Sequence, residues 1–190
     1  MKGSELVVLV DKYGHDLLNK DGTIRIADKI DAHRKGLRHK AISVFIFNTN
    51  NDILLQKRAA QKYHSPGKWT NTCCTHPDPG ELPALAAERR LREEMGIACP
   101  LYELFTFSYN VKVGNDLIEN EYDYVFYGFY DNNPSVNPDE ISDWKWMSIQ
   151  NLDQELAENP DAYSLWLQIC FKRVIEQKTL KKLTKSQSKN

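Results

Sequence analysis

The apolar run Leu6 to Val10 gives way to Asp11-Lys12-Tyr13-Gly14, which predicts a first strand entering a turn or loop. A charged stretch from Asp28 to Lys40 follows and carries two histidines. The runs AISVFIFN and ILLQKR flank the polar residues 48–52, and Asn and Asp between two apolar runs predict a hairpin. Ser65-Pro66-Gly67 marks another turn. Between Leu82 and Met95, the residues Leu82, Leu85, Ala86, Leu91 and Met95 recur at three-to-four spacing. Pro83 lies in the first turn and Gly96 just past the end, so this segment predicts a helix. Aromatic and β-branched residues predict two long strands, Leu101 to Val113 and Tyr122 to Tyr130, around the Gly114-Asn115-Asp116 turn. Asn132, Asn133, Pro134 and Pro138 predict a loop. A short strand around Trp144 to Trp146 then precedes two helical segments, the second from about Ala162 to Gln177. No repeat or linker divides the chain, which predicts a single domain over residues 1–178 and a Lys-rich, flexible tail over 179–190.

Composition narrows the classes. With 190 residues, 41% of them hydrophobic, the chain can bury a substantial core without staples, so a bound metal is expected to serve function. The balance of 25 Lys+Arg against 26 Asp+Glu supplies no basic field for a nucleic-acid backbone, and no nucleic-acid partner is expected. The longest apolar stretches fall far short of the roughly 18 residues of a membrane span, and the N-terminus lacks a signal-peptide pattern. Of the four cysteines, Cys73 and Cys74 are adjacent, while Cys99 and Cys170 stand alone in apolar contexts, which suits a reducing, cytoplasmic setting.

Three constellations carry chemistry. In RRLREEMGI, residues 89–97, Glu93 and Glu94 end a helix where the macrodipole is already negative, so the pair points to a bound cation. In WTNTCCTHP, residues 69–77, a cysteine is followed two residues later by His76. No second short-spaced pair completes a structural zinc site, and a reactive thiol beside a metal-binding imidazole is the simpler reading. In IENEYDYVF, Glu119 and Glu121 alternate, so both side chains share one sheet face and repel unless a cation lies between them. His33, His39 and His76 are candidate nitrogen ligands to such a cation; His15 and His64 are read as surface residues.

The helix resembles the Nudix box, keeping Glu81, Arg89, Leu91, Glu93, Glu94, Gly96 and Ile97, but Thr75 replaces its first glycine and Arg90 replaces a metal-binding glutamate. An arginine neither binds a cation nor accepts a proton, and it suits a phosphate. The order HRKGLRH, AISVFIFN, WTNTCCTHP, ERRLREEMGI, ENEYDYVF closely resembles the type 1 isopentenyl diphosphate isomerases, a non-hydrolysing branch of the Nudix superfamily, from about Val7 to Phe171. The resemblance implies an α/β fold, a Nudix-type α/β/α sandwich with a mixed β-sheet. It implies an enzyme that transposes a C=C bond, turning isopentenyl diphosphate into dimethylallyl diphosphate in isoprenoid biosynthesis.

By the same resemblance, Cys74 is the catalytic thiol, Glu121 the opposing acid/base, and Tyr109 and Trp166 the aromatic residues of the pocket. A divalent metal, Mn2+, Zn2+ or Mg2+, maps to His33, His39, His76, Glu119 and Glu121. A Mg2+ bridging to the substrate diphosphate maps to Glu94 and the Cys74 backbone carbonyl, and Lys29, Arg58, Lys62 and Arg90 match the diphosphate-binding positions. The expected partner is the small-molecule substrate, with no protein partner and no membrane. The alternative within enzymes is a Nudix diphosphatase acting on a nucleoside or isoprenoid diphosphate, which keeps Glu93 and Glu94 but lacks the acid at position 90.

Overall fold

The computed structural model describes residues 5–187, with side chains described as far as residue 180. The termini 1–4 and 188–190, which include the end of the expected tail, lie outside the described residues. Nine strands and four α-helices follow one another: β1 Leu6–Val8, β2 Ile26–Asp28, α1 Lys29–Lys35, β3 His39–Phe47, β4 Ile53–Arg58, β5 Trp69–Thr70, β6 Cys73–Thr75, α2 Pro83–Met95, β7 Leu101–Lys112, β8 Ile118–Phe129, β9 Ile141–Met147, α3 Ile149–Glu158 and α4 Leu165–Gln187. The second predicted helix therefore starts a few residues later than its pattern suggested and continues through the Lys-rich segment to Gln187. No helix among the described residues is long and apolar enough to cross a membrane.

Strand β3 is buried at all nine positions, as its nearly unbroken apolar run requires of a strand covered on both faces. It pairs in parallel with β8, from His39 opposite Glu121 to Phe47 opposite Phe129, and β8 pairs antiparallel with β7. The mixed sheet runs β5-β4-β3-β8-β7, with β6 on β3 and β9 on β4. On one face, Ile42, Val44, Ile46 and Phe126 pack against Ala86, Ala87, Leu91 and Met95 of α2. On the other, Phe45, Phe47, Val125 and Tyr127 pack against Leu152 of α3 and Leu167, Phe171 and Val174 of α4. This is the expected α/β/α sandwich with a mixed sheet. The α2 stop also follows expectation: Gly96 caps it with φ 65°, and a Cβ there would meet the Ser135 carbonyl oxygen at 2.7 Å.

The predicted hairpin of β3 and β4 forms, but it is short. Its turn forms at Asn48 to Asp52, but only Phe47 and Ile53 pair before the strands part. The gap is filled by the segment carrying β5 and β6, which pairs with β4 on one side and β3 on the other. Thr72 joins the two edges, since its Oγ1 accepts from Ile46 N at 2.9 Å and donates to the Leu54 carbonyl at 2.7 Å. The long partner of β4 is β9.

Candidate active site

Split strands create the site. As part of the inserted segment, β6 lies along one side of β3 while β8 lies along the other. Successive residues of a strand point to opposite faces, so β6 sends Cys73 into the core under α2 and turns Cys74 to the α4 face. On β8 the same alternation aligns Glu119, Glu121 and Asp123 with Val125 and Tyr127, so one buried stripe is acidic at one end and apolar at the other. A cavity of about 370 Å³ opens over the acidic end. Its walls include Cys74, His76, Tyr109, Glu119, Glu121, Trp166, Lys29, Arg58, Lys62, Arg90 and Glu94, whereas Glu93, His33 and His39 are not among them. His33 and His39, fully buried, lie beside this wall, within ring contact of His76 at 5.9 and 5.0 Å.

Cys74 is held from two directions. Its Sγ donates to Asn71 Oδ1 at 3.0 Å and accepts from the Trp166 indole N–H at 3.0 Å. Burial, then the charge of Asp123, raise the thiol above its ordinary range, so at neutral pH it carries its proton. Across β3, Tyr109 donates to Glu121 Oε2 at 2.5 Å, while Glu119 Oε2 lies 3.2 Å from the same hydroxyl. Burial opposes ionisation of Glu121, but the His39 and His76 rings beside it hold it well below the usual carboxylate range. Burial and the Glu121 charge push Glu119 the other way. Asp123, which sequence reasoning passed over, accepts from the Ser43 hydroxyl at 2.7 Å and is also pushed up by burial and by Glu121.

The histidines are arranged as ligands. His33 Nδ1 and His39 Nδ1 bond to the backbone carbonyls of Lys29 and Leu37 at 2.6 and 2.8 Å, which leaves each Nε2 as the free lone pair. Both Nε2 atoms are buried without a hydrogen-bond partner. His33, His39, His76 and Glu121 bring one donor atom each to within 4.8 Å of one another, with His76 Nε2 3.1 Å and His39 Nε2 3.4 Å from Glu121 Oε1. These orphaned nitrogens around a carboxylate fit a divalent cation. Burial lowers His33 to about 4 and His76 to about 3, the neutral state that metal binding needs.

The expectation that His64 is a surface residue is corrected: it is 6% exposed, lines the cavity, and stands with His33 and Glu119 in a second group of donor atoms within 4.8 Å. The loop after β4 folds back so that Arg58 grips the His64 carbonyl at 3.1 Å. In sequence, His64 had no second ligand near it; its short distance from the pocket residues Arg58 and Lys62 was the available signal. His15, with its side chain 78% exposed, is at the surface as expected.

Lys29, Lys62, Arg89 and Arg90 at the mouth each pair with an acid. Lys29 pairs with Glu5 at 2.7 Å and Lys62 with Glu140. Arg90 pairs one helical turn further on with Glu93 at 2.9 Å and Glu94 at 2.6 Å, and Arg89 clamps Glu81 at 2.7 Å. The acids at the end of α2 are thus partly neutralised by their own helix, and Glu94, 4% exposed, is the one turned inward. Arg58 sits 5.3 Å from the Trp166 ring centroid.

Comparison with known proteins adds the family. The model for the NUDIX domain matches residues 37–167. Isopentenyl-diphosphate Delta-isomerase 1 of Aromatoleum aromaticum is 53% identical over 169 residues, covering 89% of this chain and 92% of that protein. Isopentenyl-diphosphate Delta-isomerase 2 of the same organism is 47% identical over 174 residues, covering 92% and 88%. Among solved structures, a protein of Deinococcus radiodurans aligns with a TM-score of 0.68 at 19% identity over 90% of this chain and 99% of that one, a likeness of fold.

Proposed function

This chain belongs to the isopentenyl-diphosphate Delta-isomerases of the Nudix superfamily, and from that membership we propose how its pocket carries out the reaction. The protein converts isopentenyl diphosphate to dimethylallyl diphosphate. The reaction adds a proton to the terminal methylene and removes one from the carbon two bonds away, leaving the diphosphate attached. Two groups must therefore flank the five-carbon chain, one to give a proton and one to take it. Cys74 is one and Glu121, with Tyr109, is the other. The observation that carries this assignment is that the thiol and the carboxylate open on one cavity from strands on opposite sides of β3.

Each neighbour then has a task. Trp166 fixes the sulfur through its indole N–H, and its π face offers stabilisation to the tertiary cation. Tyr109 holds or passes the proton at Glu121 Oε2. Lys29, Lys62 and Arg90 exchange their carboxylate partners for the diphosphate and Arg58 joins them, anchoring the substrate so that its tail reaches the acid/base pair. Glu94, with the Cys74 backbone carbonyl, would hold Mg2+ against the diphosphate. A divalent cation at His33, His39, His76, Glu119 and Glu121 would supply positive charge that keeps Glu121 ionised.

The test is incubation with isopentenyl diphosphate and Mg2+ in deuterated water. Dimethylallyl diphosphate that carries deuterium, without phosphate release, is the expected result. Phosphate release without isomerisation would instead identify a diphosphatase.

A further inference from the structure

We propose that His64 is a metal ligand, completing with Glu119 a six-donor site of four imidazoles and two carboxylates. The inference rests on the reading that the histidine and glutamate cluster holds a divalent cation, and adds a residue to it. His64 Nδ1 is buried, has no hydrogen-bond partner, and stands 3.4 Å from Glu119 Oε1. His33 belongs to both donor groups, the one with His39, His76 and Glu121 and the one with His64 and Glu119, and its Nε2 is buried without a hydrogen-bond partner. The other nitrogen of His33 is committed to the Lys29 carbonyl, so His33 cannot serve two ions from two sides. One ion drawing on both groups uses every donor. Adjacent ligands around an octahedral ion with bonds of about 2.1 Å lie roughly 3 Å apart, close to the 3.1 to 3.4 Å spacings at Glu121 and Glu119.

The ring is held for this role. Tyr63 packs edge-on at 4.4 Å and Trp166 at 5.7 Å, and the His33 ring is within 25° of parallel at 5.7 Å. The Arg58 contact to the His64 carbonyl fixes the backbone beneath it. Packing of this kind preorganises a ligand, whereas a spectator imidazole would turn its nitrogen to a partner. The chemical consequence is selectivity. Two carboxylates balance a dication, and four imidazoles favour a transition-metal ion over Mg2+, which prefers oxygen ligands and retained water.

The experiment loads metal-free protein with Co2+ and counts imidazoles by X-ray absorption, while chelator competition measures affinity. Native protein should show four imidazoles per cobalt. His64→Ala and His64→Gln should each show three and lose affinity by about tenfold or more, with the metal-free melting temperature unchanged in at least one of them. Three imidazoles in native protein and both variants, or affinities within twofold of native, would overturn the assignment of His64 alone. A native protein that takes up no stoichiometric Co2+ would overturn the metal centre and the proposal together.

Discussion

Cys73 and Cys74 are adjacent and chemically identical, and strand alternation separates their environments. Cys73 is fully buried among Ile42, Val44 and Leu91 under α2, whereas Cys74 meets Trp166 and the cavity. Cys74→Ala is therefore expected to lower kcat by at least about a thousandfold while leaving the melting temperature nearly unchanged. Cys73→Ala should keep native kcat and cost about 1 kcal/mol of stability, measurable by urea denaturation. Reversed kinetic outcomes would mean that the register of β6 is wrong by one. Glu121→Gln should abolish turnover as well, because an amide neither takes nor gives the proton and no longer balances a cation at His39 and His76. At this scale much of the site was legible: Cys74, Glu121, Tyr109 and Trp166 follow from motif positions, and all line the cavity. His64 was not. Ligands converge in space, and a lone histidine in a turn-rich loop reveals its partners only once the chain has folded back to Glu119, 55 positions away in sequence.

At the scale of elements, the long strands and α2 were readable from periodicity, but the relation of β3 to β4 was not. Pattern sees a polar turn between two apolar runs and predicts pairing; it does not see the intruding segment that pairs with both. Strand β8 likewise begins at Ile118, earlier than predicted, because Glu119, Asn120 and Glu121 have weak strand propensity and are held there by the site they form. Thr72 is the joint of the split sheet, so Thr72→Val, nearly the same size, should leave the Ile46 N–H and the Leu54 carbonyl buried without their partner. A loss of about 2 to 4 kcal/mol in urea unfolding is expected, and a change within 0.5 kcal/mol would show that the gap closes without it. On α2, Arg90→Glu restores the acid of a hydrolase's helix but places three carboxylates on one turn. Phosphate release should remain absent, and the KM for isopentenyl diphosphate should rise about tenfold or more, because the loss is of an anchoring cation. Steady-state kinetics with a phosphate assay checks both.

For the whole molecule, the α/β/α sandwich places an apolar core and an ionisable cluster on the same sheet face, continuous along β8. The burial that stabilises one end raises the cost of charge at the other. Burial holds His33 at about 4, His76 at about 3 and His64 at about 2 in the folded protein, while the same rings in the unfolded chain titrate near 6.5. At these rings the unfolded state therefore binds more protons than the folded one as pH drops below about 6.5 and their contribution to stability falls, while Glu119 and Asp123, pushed up by burial, act in the opposite sense. Above that value their full contribution is present; below it each ring removes on the order of 1 kcal/mol per pH unit until its folded pKa is reached. Imidazole NMR of the metal-free protein should therefore show His33, His64 and His76 still neutral at pH 5. The loaded protein should start from a higher melting temperature at pH 7 and fall more steeply, because protons and the cation compete for the same nitrogens. Rings that instead titrate near 6.5 would mean that they are not held neutral by burial in solution, removing the physical basis for treating them as ligands.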